Sequence, residues 1–199
     1  VDRLVAEEGM ATVPPFDDAA VIAGQATLGL EIAEELPDAA EILVPLSGGG
    51  LVSGVALAAK SLNPALRVTG VSMARGAAMQ ESLAAGRPVL VEELPTLADS
   101  LGGGIGLANR HTFRLVRDLV DGVVLLDEPE IEAAIRHAYA VEQEIVEGAG
   151  AVGIGAILAG KVRLSGPAVV VLSGRNIDMA LHRRIVCAPG EAETAPCRS

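Results

Sequence analysis

The first candidate for chemistry is a run of small residues between an apolar segment, EILVPL, and a helix-like segment, GLVSGVALAAKSL. Glycines let the backbone approach an oxyanion closely, and a following helix points unpaired N–H groups and its positive end at that anion. The pattern predicts an anion-binding loop that consists of Ser47, Gly48, Gly49, Gly50 and Leu51. A helix is expected to start near the last of these residues. The loop alone is equally compatible with a tight strand-to-helix turn that binds nothing.

The spacing around this loop narrows the choice of anion. A P-loop ends in Gly-Lys-Ser/Thr, and no lysine stands at that place. A dinucleotide fingerprint would need a third glycine where Ser53 stands and an acid near Ser72. Only Arg75, which could contact a 2′-phosphate, leaves a phosphorylated dinucleotide open as the ligand. A nucleotide-dependent oxidoreductase is therefore disfavoured, and a compact monophosphate remains.

Three further features are candidates for a pocket. The second glycine run, Gly102 to Gly104, suggests a flexible loop at a pocket rim, and Asp99 before it is a cap, a pocket acid or a solvated charge. Ser173 follows the last apolar strand, where a hydroxyl can bond a ring nitrogen or serve as a turn or cap residue. Glu147 precedes a helix, where a carboxylate also stabilises the dipole.

Other site types find no support in the sequence. His111, His137 and His182 lie far apart without acidic or cysteine partners at ligand spacing, so we expect no metal site. The segment LVSGV does not match the G-x-S-x-G elbow of hydrolases.

Composition excludes several classes of protein. A formal net charge of −11 argues against a nucleic-acid partner and an anionic membrane surface. Charged residues interrupt every apolar stretch before the roughly 20 residues that a membrane helix needs, and no secretory signal opens the chain. Cys187 and Cys197 provide no disulfide framework, so we expect a cytoplasmic protein.

The hydrophobic pattern alternates between strands and helices. With half of the residues hydrophobic and only 2% aromatic, this predicts an α/β fold, an open parallel sheet flanked by helices. Helices are expected at 2–9, 18–36, 50–62, 76–85, 109–120, 128–145, 147–161 and 178–185. Strands are expected at 11–13, 41–46, 67–73, 122–127 and 167–174, and residues 88–94 are expected to be extended. The residues after Val186 lack periodicity and are predicted to be a disordered tail.

Four motifs in order make a family resemblance specific: the segment from PFDD through SGGGLVSG to AAK, then TLADSLGGGIG, IVEGAGAVGIGAILAGK and VVVLSGRNID. From about Val1 to Asp178 the chain resembles the threonine dehydratase and serine racemase family of fold type II pyridoxal-phosphate enzymes. The segments GVSMARGAAM and LADSLGGGIGLANRHTF are most similar to its hydroxyectoine-utilisation dehydratase branch.

The resemblance implies a cofactor, an activity and a domain layout. Ser47 to Leu51 would bind the phosphate of pyridoxal 5′-phosphate, Ser173 its pyridine nitrogen, and Glu147 would lie near its ring. The implied enzyme is a homodimeric, catabolic dehydratase that converts a small β-hydroxy amino acid, such as threonine or serine, to a 2-oxo acid and ammonia. Residues 1–14 would end the small domain, 15–186 would form the large cofactor-binding domain, and 187–199 the tail.

The chain also departs from the family's pattern. Ser47 and Arg175 stand where glycine is usual, and Ser72 replaces a metal-binding acid of some members. Lys60 and Lys161 both lack the context of the family's Schiff-base lysine and look solvated. The chain therefore resembles the C-terminal three-fifths of such an enzyme, and alone we expect it to be inactive. The alternatives are a serine racemase, a hydroxyectoine-catabolic dehydratase and a non-catalytic phosphate-binding fragment.

Overall fold

The computed structural model describes residues 1–188 of the chain. The helices are Asp2–Glu8 (α1), Ala19–Glu35 (α2), Gly50–Leu62 (α3), Ala78–Ala85 (α4), Thr112–Leu119 (α5), Glu128–Ala140 (α6), Gly148–Leu158 (α7) and Met179–Cys187 (α8). The strands are Glu41–Pro45 (β1), Arg67–Met73 (β2), Gly122–Leu126 (β3) and Ala168–Val170 (β4). A short 3-10 helix covers Asp99–Leu101.

The four strands form one parallel sheet in the order β3-β2-β1-β4. The two central strands, β1 and β2, are apolar and almost wholly buried because helices cover both faces of the sheet. One buried cluster joins the sheet to α2, α3 and α5, and a second joins it to α6 and α7. This confirms the predicted α/β architecture, with its site-forming loops at the carboxyl ends of the strands.

Helices α2 and α3 approach each other closely at glycine positions. A Cβ added to Gly54 would come within 2.6 Å of the backbone nitrogen of Ala26, and one added to Gly29 would come within 2.6 Å of the backbone oxygen of Val55. Since both clashes are with backbone atoms, side chains cannot relieve them. These two glycines allow the helix that follows the glycine loop to lie directly against α2.

One predicted strand is wrong. Residues 11–13 have no ladder partner in the described chain and form an irregular segment. Residues 88–94, expected to be extended, likewise pair with no strand of the described chain. Short apolar runs carry a strand signal, but a strand exists only where a sheet edge is available for pairing. β4 is also shorter than predicted, since only Ala168–Val170 pair with β1.

Several helix boundaries also differ from the prediction, and two of these differences have a visible local cause. The predicted helix at 109–120 begins at Thr112, because the side chain of Asn109 bonds Ile105, Thr112 and Phe113 and holds the preceding loop. The helix predicted to reach residue 145 ends at Ala140. Gln143 has a φ of 60° there, outside the helical region.

The expectation that both lysines are solvated is wrong for Lys60. Its side chain is 17% exposed and its Nζ lies 2.7 Å from Oδ2 of Asp121. Lys161 donates to Glu130 at 2.6 Å and to the carbonyl of Leu125 at 2.9 Å.

No helix among residues 1–188 is long and apolar enough to span a bilayer. In the same range no group of three or more His, Cys, Asp or Glu side chains is placed to hold a metal ion. Cys187 closes α8 as an exposed free thiol. The rest of the predicted tail, 189–199, including Cys197, lies outside the described residues.

Candidate functional site

A cavity of about 240 Å³ lies at the carboxyl end of β1. All seven residues predicted from the sequence line it: Ser47, Gly48, Gly49, Gly50, Leu51, Glu147 and Ser173. The wall also includes residues that the sequence did not single out for the site, namely Pro15, Phe16, Pro45, Ser100, Leu101 and Ala149. The structure thus brings three distant segments together, while the role of each residue remains a prediction.

The floor of the cavity is the glycine loop that leads into α3. In the described part of the chain, no backbone N–H from Ser47 to Val52 donates a hydrogen bond to a protein acceptor. The first helical bond comes from the N–H of Ser53 to the carbonyl of Gly49, which caps the helix with a φ of 92°. Six consecutive free donors at a helix N-terminus favour an anion.

Phe16 packs against this loop. A Cβ on Gly48 would overlap the Phe16 ring, and one on Gly50 would come within 2.9 Å of Phe16 Cα. The loop therefore needs glycine for two reasons: its tight turn, and the close packing of the Phe16 segment against Gly48 and Gly50. Only the adjacent Pro14-Pro15 pair and the scarcity of phenylalanine marked this segment in the sequence.

Asp17 holds the segment of Phe16 in place. Its carboxylate accepts hydrogen bonds from the backbone N–H groups of Arg110 at 2.6 Å, His111 at 2.9 Å and Thr112 at 2.9 Å. Partial burial alone would raise the pKa of Asp17. The three N–H donors, together with the electrostatic effect of the His111 side chain, outweigh burial and lower the pKa below its ordinary value. Asp17 thus caps α5, whereas Asp18 caps α2.

Glu147 is buried on the cavity wall with 8% of its surface exposed. The hydroxyl of Ser100 donates to Oε2 of Glu147 at 3.0 Å. The backbone N–H of Glu147 donates to the carbonyl of Gly174 at 3.1 Å. Across residues 1–188, Glu147 has no cationic partner within ion-pair distance. The cavity thus combines free N–H donors with one buried carboxylate.

Ser173 is exposed at the cavity mouth, and its hydroxyl makes no hydrogen bond to any described residue. It is free to bond a ligand. Arg175, two residues on, is also exposed and lies 3.3 Å from Glu144 outside this cavity. Gly102 lines a neighbouring cavity with Asp99, so the second glycine run lies beside the site and only Ser100 and Leu101 reach it.

Comparisons with known proteins agree with this geometry. A family model described as "Pyridoxal-phosphate dependent enzyme" matches residues 1–174. A putative threonine dehydratase of Sinorhizobium fredii is 61% identical over 94% of the chain and 56% of the relative. An L-threonine ammonia-lyase of Geobacter sulfurreducens is 47% identical over 87% of the chain and 43% of the relative.

A solved structure of maize serine racemase superposes with a TM-score of 0.83 at 34% identity, covering 92% of the chain and 56% of that structure. The chain thus spans about half the length of the curated relatives it matches. The chain belongs to the family of pyridoxal-phosphate dependent enzymes, within its fold type II group of threonine dehydratases and serine racemases.

Proposed function

We propose that this chain forms the cofactor-binding part of a pyridoxal 5′-phosphate-dependent lyase. The lyase acts on a small β-hydroxy amino acid such as threonine or serine. It removes water, and hydrolysis of the resulting enamine then gives a 2-oxo acid and ammonia. The observation that carries the proposal is the row of free N–H donors from Ser47 to Leu51 in a cavity that also holds Glu147 and Ser173.

The residues present fit the phosphate of this cofactor. The donors from Ser47 to Val52 have no competing acceptor among the described residues, and the positive end of α3 adds about half an elementary charge. Glycines at 48 and 50 bring the backbone against Phe16 without intervening side chains. A phosphate group accepts hydrogen bonds from these donors, and its negative charge is favoured at a helix N-terminus.

The other cavity residues would handle the ring. Ser173 offers a neutral hydroxyl to a ring nitrogen, so it bonds that atom without imposing a charge. Glu147 supplies a buried acceptor beside the ring, and Phe16 packs against the loop at the phosphate end. When bound, the cofactor supplies an electron-accepting ring that assists loss of the α-proton and the β-hydroxyl.

The chemistry also needs a reactive amine, which neither lysine of this chain provides. Lys60 and Lys161 are both held in ion pairs, and neither lines the cavity. We propose that the amine comes from polypeptide outside these 199 residues, corresponding to the part of the relatives that the chain does not match.

A fusion tests this proposal. The part of the Sinorhizobium fredii relative that lies outside the matched segment is placed ahead of Val1, and the fusion is assayed with L-threonine and L-serine for 2-oxo acid and ammonia. We expect 2-oxo acid formation that depends on added pyridoxal phosphate, and none from the chain alone. A matched control carries Gly49→Val, which adds a branched side chain at a φ of 92° within the loop. A folded fusion that binds pyridoxal phosphate but releases no 2-oxo acid contradicts the lyase proposal.

The same assay separates the alternatives. Appearance of D-serine without 2-oxo acid identifies a serine racemase, and turnover of a hydroxyectoine-derived amino acid in preference to threonine identifies the hydroxyectoine branch. Binding of phosphate without any turnover supports a non-catalytic phosphate-binding protein. The observation that favours this alternative is that both lysines are engaged in ion pairs.

The proposal includes a homodimer, which the family resemblance implies, and a cytoplasmic location, which the lack of a disulfide framework in the sequence favours. Light scattering of the purified fusion and cell fractionation measure these two properties.

A further inference from the structure

The carboxylate of Glu147 is fixed from two sides. Ser100, in the 3-10 helix, donates to Oε2 at 3.0 Å. On the other side Oε1 rests against the bare Cα of Gly174, where an added Cβ would overlap it. Two segments that are distant in sequence therefore determine where this buried carboxylate lies.

The fixed position is not explained by helix capping. Glu147 occupies the N-cap position of α7, but its side chain makes no capping hydrogen bond. Ser100 is an exposed residue of the cavity wall, and its only described side-chain hydrogen bond is the one to Glu147. A carboxylate offers about four lone-pair positions and Ser100 uses one, so the others remain available to a ligand.

We propose that Ser100 is a positioning residue that holds Glu147 as a preoriented acceptor for the ring end of a phosphate-bearing ligand. The inference rests on the proposed function, because it assumes that such a ligand lies in this cavity. A fixed acceptor loses less conformational entropy on binding than a free glutamate side chain does. Ser100 therefore acts on the ring end of the ligand, whereas the donors of the glycine loop act on its phosphate end.

The test compares two ligands that share a phosphate. Pyridoxamine 5′-phosphate carries the ring but no aldehyde, so it cannot attach to surface lysines, and inorganic phosphate needs the glycine loop alone. Affinities for the purified chain are measured by fluorescence anisotropy for the first and by calorimetry for the second. For Ser100→Ala we expect about tenfold weaker binding of pyridoxamine phosphate, the loss of a charge-assisted hydrogen bond, with phosphate affinity unchanged within about twofold.

Two further variants show whether the effect passes through Glu147. Ser100→Thr keeps the hydroxyl and is expected to restore the affinity to within about twofold. In a Glu147→Ala background, Ser100→Ala is expected to change the affinity by less than about twofold. Ser61→Ala, which removes a hydroxyl bonded to the carbonyl of Ala58 outside the cavity, is the matched control and leaves both affinities unchanged.

The outcomes separate this inference from the proposed function. If the unaltered chain binds neither ligand, both are overturned. If it binds pyridoxamine phosphate and Ser100→Ala binds it equally well, only the positioning role is overturned. An equal loss for both ligands, or an undiminished effect in the Glu147→Ala background, also overturns it, because Ser100 would then act on the cavity as a whole.

Discussion

The carboxylate of Asp17 accepts a hydrogen bond from the backbone N–H of Thr112 at 2.9 Å, across 95 residues of sequence. The same side chain bonds two more N–H groups at the start of α5. It thereby links the segment that covers the glycine loop to a helix on the same side of the sheet. One carboxylate thus stabilises a helix and positions Phe16 over the glycine loop.

Replacing Asp17 by Asn is expected to destabilise the chain by about 1–2 kcal/mol, because an amide cannot accept three hydrogen bonds from a helix N-terminus as a carboxylate does. Urea unfolding at pH 7 measures this loss. Asp118→Asn is the control, since that carboxylate is about half exposed and pairs only with its neighbour Arg117. Equal unfolding free energies for Asp17→Asn and the unaltered chain would show that the three contacts do not stabilise the fold.

The lowered pKa of Asp17 predicts the direction of the pH dependence. A carboxyl group whose folded pKa lies below its ordinary value of 3.8 contributes stability above that value. The contribution is lost as the pH falls from about 4 through the folded pKa. The free energy of unfolding of the unaltered chain should therefore fall more between pH 5 and pH 3 than that of Asp17→Asn. Parallel pH profiles for the two proteins would contradict the assignment.

The sequence predicted the secondary structure best where local pattern and burial agree. The strand at 67–73 has the predicted bounds, since its largely apolar run is delimited by a proline turn on one side and a small-residue loop on the other. Residues 11–13 carry a similar local signal, but they pair with neither edge strand of the sheet. Local sequence cannot report whether a partner strand exists, and this is why that prediction failed.

Only part of the site could be predicted from the sequence, because the rest depends on contacts between distant segments. The glycine loop is recognisable from its local pattern between a strand and a helix, whereas Glu147 and Ser173 were assigned to the site through the family resemblance. Phe16 and Ser100 reach the cavity from segments 31 and 53 residues away from Ser47. Their contacts depend on how helices pack on the sheet, and nothing in their immediate neighbours encodes that packing.

Gly48→Ala is expected to weaken pyridoxamine phosphate binding by about tenfold or more, because the new Cβ overlaps the Phe16 ring and forces either the ring or the loop to move. Gly122→Ala is a matched control, since a Cβ there meets nothing within 4 Å and its φ is unremarkable for a side chain. Both affinities are measured by fluorescence anisotropy. Unchanged affinity in Gly48→Ala would show that close contact with Phe16 is not needed for binding.

Gly54→Ala is expected to destabilise the fold by about 2 kcal/mol or more, because its Cβ would press on the backbone of α2 at Ala26. Gly24→Ala, on α2 itself, has open space around the added methyl group. That substitution should stabilise the chain by about 0.5–1 kcal/mol through helix propensity. Urea unfolding of both variants tests the close helix contact, and a Gly54→Ala protein as stable as the unaltered chain would rule it out.

The two lysines should resist modification by the cofactor's aldehyde. Burial alone would raise the pKa of Asp121, but the Lys60 ammonium and the N–H of Val68 lower it below its ordinary value, so the carboxylate stays ionised beside Lys60 at pH 7. The Lys60 side chain is only 17% exposed and its Nζ is engaged by Asp121, so an aldehyde reaches this amine less readily in the folded chain than in an unfolded one. Lys161 is held similarly by Glu130.

After incubation with pyridoxal phosphate and reduction by borohydride, peptide mapping should therefore find less label on Lys60 in the folded chain than in the chain unfolded by urea. Asp121→Asn removes the partner of Lys60 and is expected to raise its labelling, while Asp118→Asn, far from either lysine in sequence, leaves it unchanged. Stoichiometric labelling of Lys60 or Lys161 that inorganic phosphate suppresses would contradict this prediction. It would mean that one of these lysines reaches a cofactor bound at the glycine loop, and the reactive amine would then belong to this chain.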